Sequence, residues 1–158
     1  MSIVLTTRGI PQIYYGTEII LKSTGDHGEL RKDFPGGWRG DRANAFTGKS
    51  LAKDKSDAQI FLKTLLNWRK NSLPIAKGRL IHYPPKDGVY VYFRSHGDEL
   101  VMVLVNNNSN PVSVDLKRFY EVLDKRKKAR SVVSSLDYDL REKISIKEKT
   151  AIILDVIF

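Results

Sequence analysis

The sequence predicts a chain of mixed class: a glycine-rich segment carrying one strong amphipathic helix, followed by an all-β antiparallel sandwich. Three observations carry this. Apolar residues recur at helical spacing between Ala58 and Leu66. From Gly78 onward, short runs rich in β-branched and aromatic residues alternate with turn sequences. Eight of the eleven glycines fall between Gly9 and Gly48, so the two halves differ in character.

In chain order, Ile3–Leu5 and Ile10–Tyr15 are short apolar segments, and a loop of about forty residues follows. Its aromatics (Phe34, Trp38, Phe46), charges and glycines favour a shaped surface over a linker. Ser56-Asp57-Ala58-Gln59 fits a capping box at the start of a helix over Asp57–Asn71. Ala58, Phe61, Leu62, Leu65 and Leu66 form its apolar stripe, Ile60 and Trp68 widen it, Arg69 and Lys70 suit its C-terminus, and Pro74 ends it. The expected strands are Arg79–Tyr83, Val89–Arg94, Leu100–Asn106, Val112–Leu116, Arg130–Leu136, Lys143–Ile146 and Ala151–Ile157, with Ile152, Leu154, Val156 and Phe158 on one face of the last. Lys117–Lys125 can form one or two helical turns. Residues 1–72 hold too few strands to close a sheet, while 73–158 could fold alone. A helix with two apolar sides on a fragment without its own core implies a missing partner.

The 158 residues carry 27 Lys plus Arg against 18 Asp plus Glu, a net charge of +9. The excess concentrates in Lys117–Arg130, with seven basic residues against Glu121 and Asp124, and no aromatic platform accompanies it. A solvated surface is the expectation, and no nucleic-acid partner. With no cysteine, a disulfide framework, a thiolate metal site and a cysteine nucleophile are all excluded. No apolar stretch approaches the roughly 18–20 residues of a membrane helix, so no membrane partner is expected either.

His27, His82 and His96 are isolated, without metal-ligand spacing, and no nucleophile elbow, P-loop or dinucleotide motif occurs. No cofactor and no metal is expected. One combination remains: Ile10-Pro11-Gln12-Ile13-Tyr14-Tyr15-Gly16-Thr17-Glu18 runs from an apolar strand into a glycine turn and an acidic residue. It reads either as a core strand with two packed tyrosines or as a strand whose C-terminal turn faces an active site.

The run Arg8-Gly9-Ile10-Pro11-Gln12-Ile13-Tyr14-Tyr15-Gly16-Thr17-Glu18 resembles the eighth barrel strand of the α-amylase family, glycoside hydrolase family 13. Asp33-Phe34-Pro35-Gly36-Gly37-Trp38, then Asp41 and Asn44-Ala45-Phe46, resembles the neopullulanase and cyclomaltodextrinase branch, particularly its Bacteroidetes members. The helix ending Asn67-Trp68-Arg69-Lys70 is similar to the family's last barrel helix, and the β-rich tail to its C-terminal sandwich, domain C.

The resemblance implies a fold of the last strand and helix of a (β/α)8 barrel followed by a Greek-key sandwich, with Ile3–Thr7 as the tail of the preceding helix. The implied parent is a retaining hydrolase of α-1,4-glucosidic bonds in cyclomaltodextrins, pullulan or starch oligosaccharides, in a periplasmic setting. Its three catalytic carboxylates sit on earlier strands, and the Asn-His-Asp signature of one is missing here, so none is assigned and the chain alone is expected to be inactive. Asp26 and Arg31 match the family's loop pair that holds glucose hydroxyls, with His27 where proline is frequent. Trp38, like Phe34, can stack on a sugar face or pin the loop. The implied partner is an α-glucan oligosaccharide, and exposed strand edges would favour self-association through residues 1–72. The reading from another class is a non-catalytic carbohydrate-binding or interaction sandwich with residues 1–72 as an appendage.

Overall fold

The computed structural model describes residues Met1–Ile157, with Leu30 through its backbone alone. Phe158, expected on one face with Ile152, Leu154 and Val156, lies outside the described residues. The chain divides into two compact units, one of Met1–Gly9 together with the chain from Leu65 onward, the other of Ile10–Thr64. Helix α2 (Lys53–Asn71) belongs to both, its last turns to the larger unit.

The larger unit begins with α1 (Ser2–Thr6) and, after α2, has the short helix α3 (Leu73–Lys77) with Pro74 in its first turn. Eight strands follow: β1 (Arg79–Lys86), β2 (Val89–His96), β3 (Glu99–Asn106), β4 (Val112–Asp115), β5 (Lys128–Ser131), β6 (Asp137–Asp139), β7 (Lys143–Ile146) and β8 (Thr150–Ile157). Six form one sheet in the order β1-β2-β3-β8-β5-β6, and β4 pairs with β7 in a second, every pairing antiparallel. Two-residue turns set the registers of the first two hairpins. Asp87 and Gly88 both adopt positive φ (51° and 70°), as the favoured hairpin turn requires, and Gly97 does so at 55°.

One face of the large sheet packs against the small one. Val89, Val91 and Phe93 of β2, Leu100, Met102 and Leu104 of β3, and Leu154 of β8 meet Ile144 and Ile146 of β7. Between β4 and β5, a 3-10 turn (Leu116–Phe119) and α4 (Tyr120–Leu123) add Leu116, Phe119 and Leu123 to this core. Phe119 lies edge-on to Tyr83 (4.8 Å) and Phe93 (5.8 Å), the tilted geometry that aromatic quadrupoles favour. Asn106, 1% exposed, stitches the core's end, donating to the carbonyls of Asn110, Ile146 and Lys147.

The opposite face is buried too. Tyr92, Arg94, Val101 and Val103 lie beneath α3 and the end of α1, and Ile153 of β8, paired with Val103, is buried beside them. Arg94, 2% exposed, donates to the carbonyl oxygens of Thr6 (3.0 Å), Ile75 (2.9 Å) and Gly78 (2.9 Å). Burial and the like charges of Arg69 and Arg8 pull its pKa below the usual guanidinium value. The Tyr92 hydroxyl bonds the Thr6 hydroxyl at 2.5 Å, and burial pushes the phenol up to about 12. Gly78 has no room for a side chain: a Cβ there would sit 2.3 Å from the Pro74 carbonyl oxygen. From α2, Arg69 donates to the Leu5 carbonyl and the Trp68 indole N–H donates to Asp155 Oδ2 at 2.8 Å.

Several expectations are corrected. Residues 10–14 form no strand; a barrel strand takes its hydrogen bonds from two neighbours, and no other segment among the described residues supplies them. Self-association by strand pairing there loses its ladder. Ser56 does not cap: α2 starts at Lys53, Ser56 N–H bonds the Ala52 carbonyl, and the Gln59 amide reaches the Ala45 carbonyl instead. Lys53 pairs with Asp57 at 2.7 Å, the i,i+4 spacing that supports the extra turn. Leu62 and Leu65 of the apolar stripe are buried without a further partner, whereas Ile60 is 60% exposed and does not widen the stripe. The Arg130–Leu136 run breaks at Ser131, because serine side chains compete for the backbone: Ser131 Oγ accepts from Ser134 N–H, and Ser135 turns at φ 58°. Pro84 and Pro85 sit within β1, tolerated because β1 is an edge strand with a register irregularity between Tyr83 and Lys86.

Arg94→Leu should cost about 3–5 kcal/mol, since it removes a buried cation and strands three carbonyls. Urea denaturation followed by circular dichroism measures it; a loss below about 1 kcal/mol, the scale of one ordinary hydrogen bond, contradicts the anchoring role.

Burial, opposed by the indole hydrogen bond and reinforced by the Glu99 charge, raises the Asp155 pKa above the usual carboxylate range. A raised carboxylate pKa means that the folded state binds the proton more tightly than the unfolded one, so stability falls as pH rises through the folded pKa. Asp155→Asn keeps an oxygen for the indole and should melt higher than wild type at pH 7. The difference should close below about pH 4, where the unfolded carboxylate is also protonated. Melting curves across pH test this, and an Asn variant less stable at pH 7 than at pH 4, relative to wild type, reverses the sign.

Candidate functional site

The sequence-predicted site residues all lie in the smaller unit, residues 10–64. Tyr14 and Tyr15 end the extended segment with rings 4.7 Å apart, and the Tyr15 hydroxyl donates to the Lys32 carbonyl at 3.3 Å. Gly16 then turns the chain at φ 83°, with Leu21 N–H returning to the Gly16 carbonyl at 2.8 Å. Partial desolvation, then Tyr14 and Asp33, push the Tyr15 phenol up, while Arg31 pulls it down. Tyr14, Tyr15, Arg31 and Asp33 therefore share one electrostatic neighbourhood.

Asp26 Oδ1 accepts from the N–H groups of Gly28 (2.9 Å) and Glu29 (3.2 Å). That Asx-type turn launches a 3-10 turn, Glu29–Arg31, whose last residue is Arg31. Asp26 thus sets the backbone that presents Arg31, and both side chains are exposed. Among the described residues the two make no ion pair; Asp26 Oδ1 is engaged by the backbone, which leaves its other oxygen and the Arg31 guanidinium open to a ligand.

Trp38 sits on a second shaped turn. Asp41 Oδ2 accepts from Gly36 N–H (2.7 Å) and Trp38 N–H (3.1 Å), closing the Pro35–Asp41 loop. Gly36 has φ 99°, and a Cβ there would meet the Asn44 side chain at 2.5 Å, so the position takes glycine alone. Asn44 Oδ1 accepts from Phe46 and Thr47 N–H. Phe34, half-buried, packs on Phe46 at 5.2 Å, while Trp38 stays 68% exposed. Between the roles left open for these aromatics, Phe34 makes the loop contact and Trp38 keeps a free ring.

Chemically, one turn offers a carboxylate and a guanidinium, groups that bond hydroxyls, and the other an exposed indole, a flat apolar face. No group of three or more metal-ligating side chains occurs among the described residues. Sequence reasoning counted Phe46 among the loop aromatics without giving its exposed ring a role, and it passed over the cluster of Trp68, Glu99 and Asp155. Residues 68 and 155 are 87 positions apart, and only the fold joins them.

Residues 80–155 match the family model described as the Cyclo-malto-dextrinase C-terminal domain. A cyclomaltodextrin glucanotransferase of Geobacillus stearothermophilus is 31% identical over 70% of this chain and 13% of its own length. An α-amylase of Niallia circulans is 28% identical over 68% of the chain and 17% of its own length. The chain thus spans well under a fifth of these curated relatives. Among solved structures, the α-amylase of Geobacillus thermoleovorans, complexed with acarbose, superposes with a TM-score of 0.74 at 23% identity, over 99% of this chain and 32% of that one. The Anoxybacillus α-amylase follows at 0.72 and 21%, over 98% and 30%. The sandwich, its strand pattern and these likenesses agree, and the chain carries a C-terminal domain of the α-amylase family, glycoside hydrolase family 13.

Proposed function

We propose that residues 1–72 are the end of a (β/α)8 catalytic barrel and residues 73–158 its domain C, in a retaining hydrolase of α-1,4-glucosidic bonds. One observation carries the reading: the superposition on an α-amylase takes in 99% of the chain, so the region ahead of the sandwich is included. In the whole protein, one carboxylate would form a glycosyl-enzyme and a second would donate and then withdraw a proton. Neither comes from this chain. Asp26, Arg31 and Trp38 would hold substrate, the guanidinium and carboxylate each engaging adjacent hydroxyls and the indole covering a ring face. Cyclomaltodextrins, pullulan or starch oligosaccharides fit this chemistry.

Kinetics test it. The 158-residue chain should release no reducing sugar from starch, pullulan or cyclomaltodextrin, because the charges that stabilise the transition state are elsewhere. In the full-length protein, Asp26→Ala and Arg31→Ala should each weaken kcat/KM on maltooligosaccharides by about 1–3 kcal/mol. Turnover by the isolated chain, or unchanged kinetics in both variants, overturns the assignment.

The smaller unit also exposes Ile10 (98%), Phe46 (72%) and Ile60 (60%), apolar surface that favours association. We expect the isolated chain to self-associate through residues 1–72. Sedimentation of the 158-residue chain checks this, and a monomer at tens of micromolar, a concentration typical of weak association, refutes it.

A further inference from the structure

On the larger unit, Trp68, Asn71, Ser72, Glu99 and Asp155 line an open cleft of about 340 Å3. That volume lies at the lower end of the roughly 300–1,000 Å3 typical of small-ligand sites. We propose that this cleft binds one end of an α-glucan oligosaccharide, so that the sandwich itself is a carbohydrate-binding surface.

The lining chemistry selects the ligand. Among the described residues no Lys, Arg or His lines the cleft, and two carboxylates do, so an anion is disfavoured. The Trp68 indole N–H occupies Asp155 Oδ2, while the other oxygen has no protein donor among the described residues. Glu99 is exposed, forms no ion pair among the described residues, and its charge opposes that of Asp155. Two unneutralised carboxylates near each other repel, and hydroxyl donors from a neutral polyol relieve this without adding charge. Asn71 supplies both a donor and an acceptor. Trp68 and Val156, both half-buried, provide apolar surface for the C–H face of a pyranose. A cation would also suit two carboxylates, but no cluster of three metal-ligating groups exists among the described residues.

The choice of an α-glucan over other polyols rests on the function proposed above. The test is amide NMR of the 158-residue chain titrated separately with maltoheptaose, cellohexaose and calcium chloride. Maltoheptaose should shift resonances at 68–72, 99–101 and 155–156. Both Asn71 and Glu99 are exposed, so Asn71→Ala/Glu99→Ala should melt no lower than wild type and bind maltoheptaose about tenfold more weakly. No shift at millimolar maltoheptaose, or binding that the double variant leaves unchanged, overturns the proposal. Shifts with calcium alone overturn the sugar assignment. Shifts of the cleft with cellohexaose alone overturn the α-glucan identity while sustaining a carbohydrate cleft. Inactivity of the full-length protein on α-glucans, with maltoheptaose still bound here, would instead tell against the proposed catalytic function.

Discussion

The larger unit is organised around a cation that cannot shed its charge and has no carboxylate to pair with among the described residues. Arg94 projects from β2 onto a face closed by α1 and α3, and its guanidinium must find acceptors without water. It finds them in the carbonyls of Thr6 and Ile75, which belong to α1 and α3, and in that of Gly78, the cap beyond α3. Carbonyls in the last turn of a helix have no intrahelical partner, and the two terminal nitrogens of the guanidinium supply it. A planar fork can serve three carbonyls at once, whereas a lysine ammonium on a flexible stem has no such fixed spread. Gly78 completes the device, since any side chain there would strike the Pro74 carbonyl.

That anchor explains why the large sheet is buried on both faces. Val89, Val91 and Phe93 face the small sheet, while Tyr92 and Arg94, in alternate positions, face the helices. Trp68 to Asp155 and Arg69 to the Leu5 carbonyl add the end of α2 to the same layer. The consequence is that compactness does not change at the end of α2. It changes within it, with the turns from Leu65 onward belonging to the sandwich.

The loops of the smaller unit hold their shape by a different economy of interactions. Asp26, Asp41 and Asn44 each spend one side-chain oxygen on two backbone N–H groups, and glycines supply the backbone angles that other residues resist. The polar residues fold the loop, which leaves Arg31 and Trp38 free for contact with a ligand. Such turns are local in sequence, whereas the binding roles given to Asp26, Arg31 and Trp38 come from the family resemblance.

The sequence by itself determined what short-range physics decides. The strand pattern from Gly78 follows from side-chain alternation and turn residues, and the core of α2 from apolar spacing over a few turns. The turn logic around Asp26 and Gly36 is likewise local. Tertiary structure alone decided the rest. Tyr92 and Arg94 alternate with apolar residues as solvent-facing positions would, and only the helices laid over them make them interior. Segment 10–14 has the composition of a strand, yet a strand exists only where another segment accepts its hydrogen bonds. Trp68, Glu99 and Asp155 meet because β3 pairs with β8 and α2 docks on that sheet, contacts between segments too far apart in the chain for any local spacing to signal.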